Sequence, residues 1–138
     1  MPFFFTKSHY TKDLNNNFRN KLVLTQEIKK NFDLIDRILI PTYLHHVRMN
    51  SGLPIFIDWK HHAFRYDQII EWKQRLILAN EFYSSNSDNE KFKKLKKIQE
   101  IEKISHILIK KKELKVSCID LINHEEFALV SAEDCYEN

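Results

Sequence analysis

The residues best suited to chemistry are Asp58, Trp59 and Lys60, which follow the apolar run of residues 55–57. Three consecutive apolar residues before an acid predict a buried strand that delivers its polar groups at the carboxyl end. A carboxylate there can hold a divalent cation, and a neighbouring lysine can orient or activate an attacking water. Asp36, 22 residues upstream of Asp58, would supply a second carboxylate. The pattern therefore allows metal-dependent hydrolysis, with Mg²⁺ held by Asp36 and Asp58.

This spacing is typical of nucleases of the restriction-endonuclease-like class, in which an acid and an Asp/Glu-x-Lys tripeptide lie at strand ends. Gln68 or Gln74 on the following helix would assist. A structural interpretation accounts for the same residues: Asp58 caps the strand end or pairs with a cation there, Trp59 packs, and Lys60 is solvated. Because an acid two residues from a lysine is common by chance, we favour the structural interpretation and expect no metal or other cofactor.

Other kinds of site are excluded by count or by spacing. The chain has one glycine, Gly52, whereas a P-loop and a nucleophile elbow need two each and a dinucleotide fingerprint needs three. The histidine pairs 45–46 and 61–62 point to different faces of their elements, so each pair supplies at most one metal ligand. Cys118 and Cys135 lack zinc-site spacing. One disulfide and two free thiols are both compatible with the sequence.

Length and composition are those of one globular domain. The chain has 138 residues, 43% of them hydrophobic and 30% charged, which suffices for one packed core. We expect an irregular segment at residues 1–20, a single α/β domain at 21–131 and an acidic tail at 132–138. No apolar run approaches the roughly eighteen residues of a membrane span. The chain is therefore expected to be soluble as given, and membrane-associated if it is a fragment of a larger protein.

The charge of the chain is uneven but mild. A net charge of +3 is too small by itself to indicate nucleic-acid binding. Ten lysines nevertheless fall between residues 91 and 115. This run is either a solvated helix face or a docking surface for phosphate or anionic lipid.

Hydrophobic periodicity predicts alternating helices and strands. The predicted helices cover residues 21–32, 43–49 and 67–83, and a fourth follows the capping box of residues 87–90; the predicted strands cover 37–40, 55–59, 104–109, 118–122 and 126–130. Strands joined by helical crossovers predict a three-layer α/β/α sandwich with a mainly parallel sheet, and the last two strands predict a C-terminal antiparallel hairpin. Ligands of such sheets bind beyond the carboxyl ends of the strands.

A family resemblance covers the middle of the chain. The residues that carry it are Ile40, Pro41, Thr42, Arg48, the run of residues 51–60, Phe64, Glu71, Trp72 and Arg75. This pattern resembles the soluble C-terminal domain of a family of bacterial, largely cyanobacterial, multi-spanning membrane proteins that look like polytopic glycosyltransferases and whose function is unknown. The similarity extends less specifically over residues 22–131.

The resemblance implies a non-catalytic accessory or ligand-binding domain, related to the extramembrane tail of such a protein. Its matching polar positions are Arg48, Asp58, Lys60, Glu71 and Arg75. Arg48 and Lys60 would face an anionic group of the sugar-phosphate type, and Asp58 would orient them. The partner would be such a ligand or the membrane part of a larger protein. The same five residues would otherwise form a buried charge network that holds the fold.

Overall fold

A computed structural model describes residues 19–44, 46–47, 51–57, 66–115 and 117–136. Helix α1 is described from residue 19 to residue 29. The other helices and strands are β1 (Ile38–Leu39), α2 (Tyr66–Ser84), α3 (Asp88–Ile101), β2 (His106–Lys110), β3 (Phe127–Ser131) and α4 (Ala132–Tyr136). Two short 3-10 helices cover Phe32–Leu34 and Lys111–Glu113. The described chain thus has the predicted mixed α/β composition.

The strands form one mixed sheet in the order β1-β2-β3. Strand β1 runs parallel to β2, with Ile38 opposite His106. Strand β2 runs antiparallel to β3, with Leu108 opposite Leu129. On the other side of β1, Ile55 makes an isolated parallel bridge to Ile38. A mainly parallel sheet is not confirmed, because the longest pairing in the described chain, β2 with β3, is antiparallel.

The C-terminal antiparallel pairing has a different partner from the one predicted. Residues 118–122 do not form a strand, and β3 pairs with β2 instead. Next to β3, the side chain of Asp120 replaces a strand partner: its Oδ1 accepts hydrogen bonds from the Leu129 amide at 3.1 Å and from the Ile122 amide at 3.0 Å. The Leu121 amide donates to the Leu129 carbonyl at 2.8 Å. Because the Leu129 amide bonds to a side chain and not to a main-chain carbonyl, residues 118–122 do not form a continuous strand ladder with β3.

Two apolar clusters lie on opposite faces of the sheet, since neighbouring residues of a strand point to opposite sides. Leu39, Ile107 and Ile109 pack with residues of α2 and α3 such as Phe82 and Leu95. In the second cluster, Ile38, Leu108 and Leu129 pack with Leu24 and Ile28 of α1. Each fully buried leucine or isoleucine contributes about 1.5–3 kcal/mol of transfer free energy. These clusters fix the sheet between helices that come from distant parts of the chain.

Local sequence signals account for several element ends. Ser87 is the N-cap of α3, and its hydroxyl accepts from the Glu90 amide at 3.3 Å, as the capping box predicts. Gly52 has a φ of +71°, a left-handed conformation that glycine adopts without strain. Asp67 lies in the first turn of α2, directly after Tyr66.

The apolar side chains of α2 form a stripe that is only partly buried. Ala79 and Phe82 are fully buried, and Trp72 and Leu76 pack against the same cluster. Other members of the stripe remain exposed: Ile69, Ile70 and Ile77 are 37%, 44% and 48% exposed. The helix packs on one flank against α3 and the sheet, so the outer part of the stripe has no cover among the described residues.

The two cysteines form a disulfide. Cys118 is bonded to Cys135, with 5.2 Å between their Cα atoms. Cys135 lies in α4, within the segment that the sequence pattern describes as an acidic tail. The bond ties the loop before β3 to the helix after it. Of the two states compatible with the sequence, the structure has the disulfide rather than two free thiols.

Candidate functional site

Two of the five matching polar residues belong to one charge network. Glu71 and Arg75 lie one turn apart on α2, and Arg75 Nη2 is 3.0 Å from Glu71 Oε1. The same guanidinium contacts Glu102 through Nη1, at 2.5 Å from Oε2. Arg37 Nη2 lies 2.9 Å from the other oxygen of Glu102, Oε1. Glu71, Arg75, Glu102 and Arg37 therefore form a row of alternating charges, the charge network.

The central part of this network is substantially shielded from water. The side chains of Arg37, Arg75 and Glu102 are 30%, 19% and 28% exposed, whereas Glu71 is 58% exposed. Charges removed from water are tolerated when they are paired and hydrogen-bonded. Glu102 meets that condition with both oxygens bound to guanidinium groups. Glu71 and Arg75 are thus paired with each other, with Glu71 at the exposed end of the row.

The network also holds the main chain of residues 55–56. Arg37 Nη1 donates to the Ile55 carbonyl at 3.2 Å, and Arg75 Nη1 donates to the Phe56 carbonyl at 3.4 Å. The Arg75 guanidinium lies over the Phe56 ring, 5.0 Å from its centroid. The Phe56 amide donates to the Ile38 carbonyl at 3.0 Å. The chain is thus fixed from both sides just before Asp58.

Arg48, Asp58 and Lys60 lie outside the described residues. Their proximity to one another and to the charge network is therefore not part of the structural description. The same holds for His45, His61 and His62 of the two histidine pairs.

Sequence reasoning missed Arg37 and Glu102. Arg37 opens the first predicted strand, and Glu102 follows α3, so each flanks an element that the pattern did locate. An unpaired charge directly beside a buried strand or helix end is a weak signal for an ion pair. Identifying the partner requires knowing that the end of α3 returns to the start of β1, which is a feature of the tertiary structure.

Asp36 lies at the amino end of the parallel strand pair. Its amide and that of Arg37 donate to the Ser105 hydroxyl at 2.9 and 3.1 Å. The same hydroxyl lies 2.8 Å from His106 Nδ1. Burial lowers the pKa of His106, and the Asp36 carboxylate opposes that shift. The backbone of Asp36 therefore helps to join β1 to β2, while its side chain is exposed.

Among the described ranges of the chain, no three His, Cys, Asp or Glu side chains are grouped closely enough to hold a metal ion. Asp58, the second carboxylate of the nuclease interpretation, is outside those ranges. The pairing of Asp36 with Asp58 remains a prediction.

A cleft of about 190 Å³ lies near the carboxyl end of β1, where ligands of parallel sheets bind. Its polar lining includes Lys21, Tyr43, His46, His124 and Glu126. Burial raises the pKa of the Tyr43 hydroxyl, and the Glu126 and Glu113 carboxylates add to this. The cleft therefore places several polar side chains beyond the end of β1.

His124 in that cleft has a structural role. Its Nδ1 accepts from the Glu126 and Phe127 amides at 3.1 and 3.3 Å, and its Nε2 lies 3.4 Å from the Asn20 carbonyl. Acceptance at Nδ1 assigns the proton to Nε2. Because both ring nitrogens are used by main-chain groups, His124 shapes the start of β3 and joins it to α1.

Comparisons with known proteins give one match. The family model described as a domain of unknown function (DUF6798) matches residues 22–79, which is less than half of the chain. No curated protein and no solved structure matches the sequence. None of the helices in the described part of the chain combines the length and the apolar character that crossing a bilayer requires.

The matched segment depends on the rest of the chain for its structure. It contains most of α1, all of β1 and most of α2, and three members of the charge network: Arg37, Glu71 and Arg75. The fourth member, Glu102, lies outside it, as does strand β2, which pairs with β1. The family match therefore includes three of the four residues of the charge network. Glu102, the carboxylate that joins the two arginines, lies outside the match.

Proposed function

We propose that this chain is a non-catalytic accessory domain that binds an anionic group of the sugar-phosphate type. Arg48 and Lys60 would supply the cations, and Asp58 would orient them. The observation that carries the proposal is a pair of hydrogen bonds: Arg37 and Arg75 donate to the main-chain carbonyls of residues 55–56, shortly before Asp58 in the sequence. A segment fixed in this way is a suitable support for residues that must meet a ligand.

The charge network supports binding by lowering the entropic cost of ordering residues 55–56 when a ligand binds. A chain segment held in place before the ligand arrives loses less conformational freedom on binding. Two main-chain carbonyls, those of Ile55 and Phe56, are fixed by guanidinium groups. The arginines themselves are positioning residues, because Glu102 and Glu71 already occupy their guanidinium groups.

The accessory role is supported by the outer face of α2. Tyr66, Ile70 and Ile77 lie at helical spacing on that face and are 80%, 44% and 48% exposed. Contiguous exposed apolar side chains commonly mark interaction sites. We infer that a domain of this kind, a three-layer α/β/α sandwich, would dock on the membrane part of a glycosyltransferase-like protein through this face.

The experiment is a thermal-shift and calorimetric titration of the purified chain with inorganic phosphate, glucose 1-phosphate and UDP-glucose. A ligand at 100 times its Kd stabilises a fold by about 2.7 kcal/mol, a shift of several degrees at this size. We expect a shift with at least one sugar phosphate that Arg48→Gln and Lys60→Gln each reduce. Lys112→Gln, which removes an exposed lysine of the second 3-10 helix, should leave it unchanged.

Two outcomes would overturn the proposal. If none of these compounds raised the melting temperature, the chain would not bind an anionic group of the sugar-phosphate type. Stabilisation by Mg²⁺ that both Asp36→Ala and Asp58→Ala abolish would instead favour the metal-dependent nuclease, and cleavage of a DNA or RNA substrate would establish it. Arg75→Met, which breaks the network, should weaken sugar-phosphate binding while Arg48 and Lys60 remain.

A further inference from the structure

The disulfide lies beside a cleft of about 420 Å³ between the start of α3, the loop after the second 3-10 helix, and α4. The lining of this cleft includes Asp88, Asn89, Lys115, Ser117 and Cys135. Asp88, Asn89 and Ser117 are exposed side chains, so the cleft can be reached from solvent. Its volume falls in the range of small-molecule pockets, roughly 300–1,000 Å³.

The two bonded cysteines differ in their position relative to this cleft. Both are almost fully buried, with Cys118 7% and Cys135 8% exposed, so the exposed fraction does not distinguish them. Of these two described residues, Cys135 lines the cleft and Cys118 does not. A small molecule in the cleft therefore contacts Cys135 rather than Cys118.

The charges of the cleft select neither an anion nor a cation. Lys115 Nζ lies 3.6 Å from Asp88 Oδ2, so the two charged residues of the lining form a long ion pair with each other. The group that distinguishes the cleft chemically is the disulfide, because a thiolate attacks a disulfide at whichever sulfur it can reach. The occupant that this chemistry selects is a small thiol.

We propose that Cys135 is a site of thiol–disulfide exchange with low-molecular-weight thiols of the cysteine class. The thiolate enters the cleft and attacks Cys135 Sγ, which forms a mixed disulfide; the bond to Cys118 breaks, and Cys118 leaves as a thiolate that takes a proton from water. A second thiolate attacks the small-molecule sulfur of the mixed disulfide and releases Cys135 as a thiol. In total, two small thiols are oxidised to their disulfide and the protein disulfide is reduced to two thiols.

Exchange at Cys135 changes how α4 is held. This helix covers only Ala132–Tyr136, and a helix this short depends on its tertiary contacts. At its start, the Ala132 amide donates to the Ser105 carbonyl at 3.0 Å. Its end is held by the disulfide and by Tyr136, whose ring packs edge-on against Phe82 with 5.7 Å between centroids. Reduction therefore loosens the end of α4 and leaves its start attached.

The test is the rate at which free cysteine reduces the disulfide of the full chain without denaturant, measured by mass spectrometry after acid quenching. We expect a rate proportional to the cysteine concentration, because the thiol reacts with the folded chain. Asn89→Trp places a bulky ring in the wall of the cleft and should slow the reaction several-fold. Lys97→Trp, at an exposed position of α3 outside the lining, is the control and should leave the rate unchanged.

A second measurement identifies the sulfur that is attacked. Cys118→Ser retains the Cys135 thiol, and Cys135→Ser retains the Cys118 thiol. With cystine, the oxidised dimer of cysteine, the Cys135 thiol should form its mixed disulfide faster than the Cys118 thiol does. Hydrogen–deuterium exchange of the reduced parent chain should be faster at the end of α4 than in the oxidised chain, whereas β3 should keep its protection.

Four results would contradict this assignment. These are a reduction rate that is independent of the cysteine concentration and so follows unfolding, equal rates in the two tryptophan variants, a Cys118 thiol at least as reactive as the Cys135 thiol, and unchanged protection of α4 after reduction. The tryptophan variants and the exchange measurement retain both cysteines. They therefore decide the matter even if a serine variant does not fold.

Discussion

Arg75 and Glu102 form an ion pair between the segment that matches the family model and the part of the chain beyond it. Glu102 also binds Arg37, so one carboxylate joins the end of α3, the middle of α2 and the start of β1. Arg37 and Arg75 in turn hold the carbonyls of residues 55–56. The contact therefore links the stability of the fold to the position of the segment that leads to Asp58.

Glu102→Gln should lower the free energy of unfolding by about 1–3 kcal/mol, because it removes the carboxylate that pairs with Arg37 and leaves Arg75 with only the exposed Glu71. Chemical denaturation measures this change. Glu100→Gln, at an exposed position in the last turn of α3, should stay within about 0.5 kcal/mol of the parent chain. Equal effects of the two substitutions would show that the network contributes no stability.

Reduction of the Cys118–Cys135 disulfide should lower the free energy of unfolding by about 3 kcal/mol, since the bond closes a loop with a sequence separation of 17. Denaturation with and without dithiothreitol gives the difference. The double variant Cys118→Ser with Cys135→Ser should have the unfolding free energy of the reduced chain, and dithiothreitol should not change it. Mass spectrometry of the unreduced chain that found two free thiols would contradict the bond itself.

The unfolding free energy should fall as the pH drops below the usual histidine value of 6.5. Burial lowers the pKa of His106, so the unfolded chain binds a proton that the folded chain does not, and acid therefore favours unfolding. The loss begins near pH 6.5 and ends at the lower pKa of the folded state. Below that pH the His106 contribution is constant.

The matched variant for this pH effect is His106→Gln. Its unfolding free energy should lose the part of the pH dependence that lies just below 6.5, as measured by denaturation at a series of pH values. Asp36→Asn removes the carboxylate that opposes the shift and should steepen the dependence. An unchanged profile for His106→Gln would assign the effect to other groups.

Ser87→Ala should destabilise the chain by about 1 kcal/mol, because the Ser87 hydroxyl accepts from an amide of the first turn of α3 that otherwise lacks a partner. Thermal or chemical denaturation detects a change of this size. Ser117→Ala, also at an exposed serine, is the control and should be neutral. A neutral Ser87→Ala would mean that water replaces the cap at no cost.

Short-range signals in the sequence predicted the local elements well. The capping box of residues 87–90, the helix of α2 and the central strand near residues 104–109 all depend on residues close together along the chain, and the structure has each of them. The predicted partner of β3 was wrong because the residues at 104–109 and at 118–122 are both apolar enough to pair with it. Residues 120–121 do bond to Leu129, through the Asp120 side chain and the Leu121 amide, but they do not form a strand.

The candidate site divides in the same way. Glu71 and Arg75 are four residues apart on a helix, so their pairing follows from the sequence alone. Glu102 joins Arg37 and Arg75 only because α3 returns the chain to the beginning of β1, and Cys135 meets Cys118 only because α4 folds back over β3. Local hydrogen bonds and helical spacing are determined by neighbouring residues, whereas ion pairs, disulfides and strand partners from distant segments are determined by how the helices and sheet bury their apolar faces.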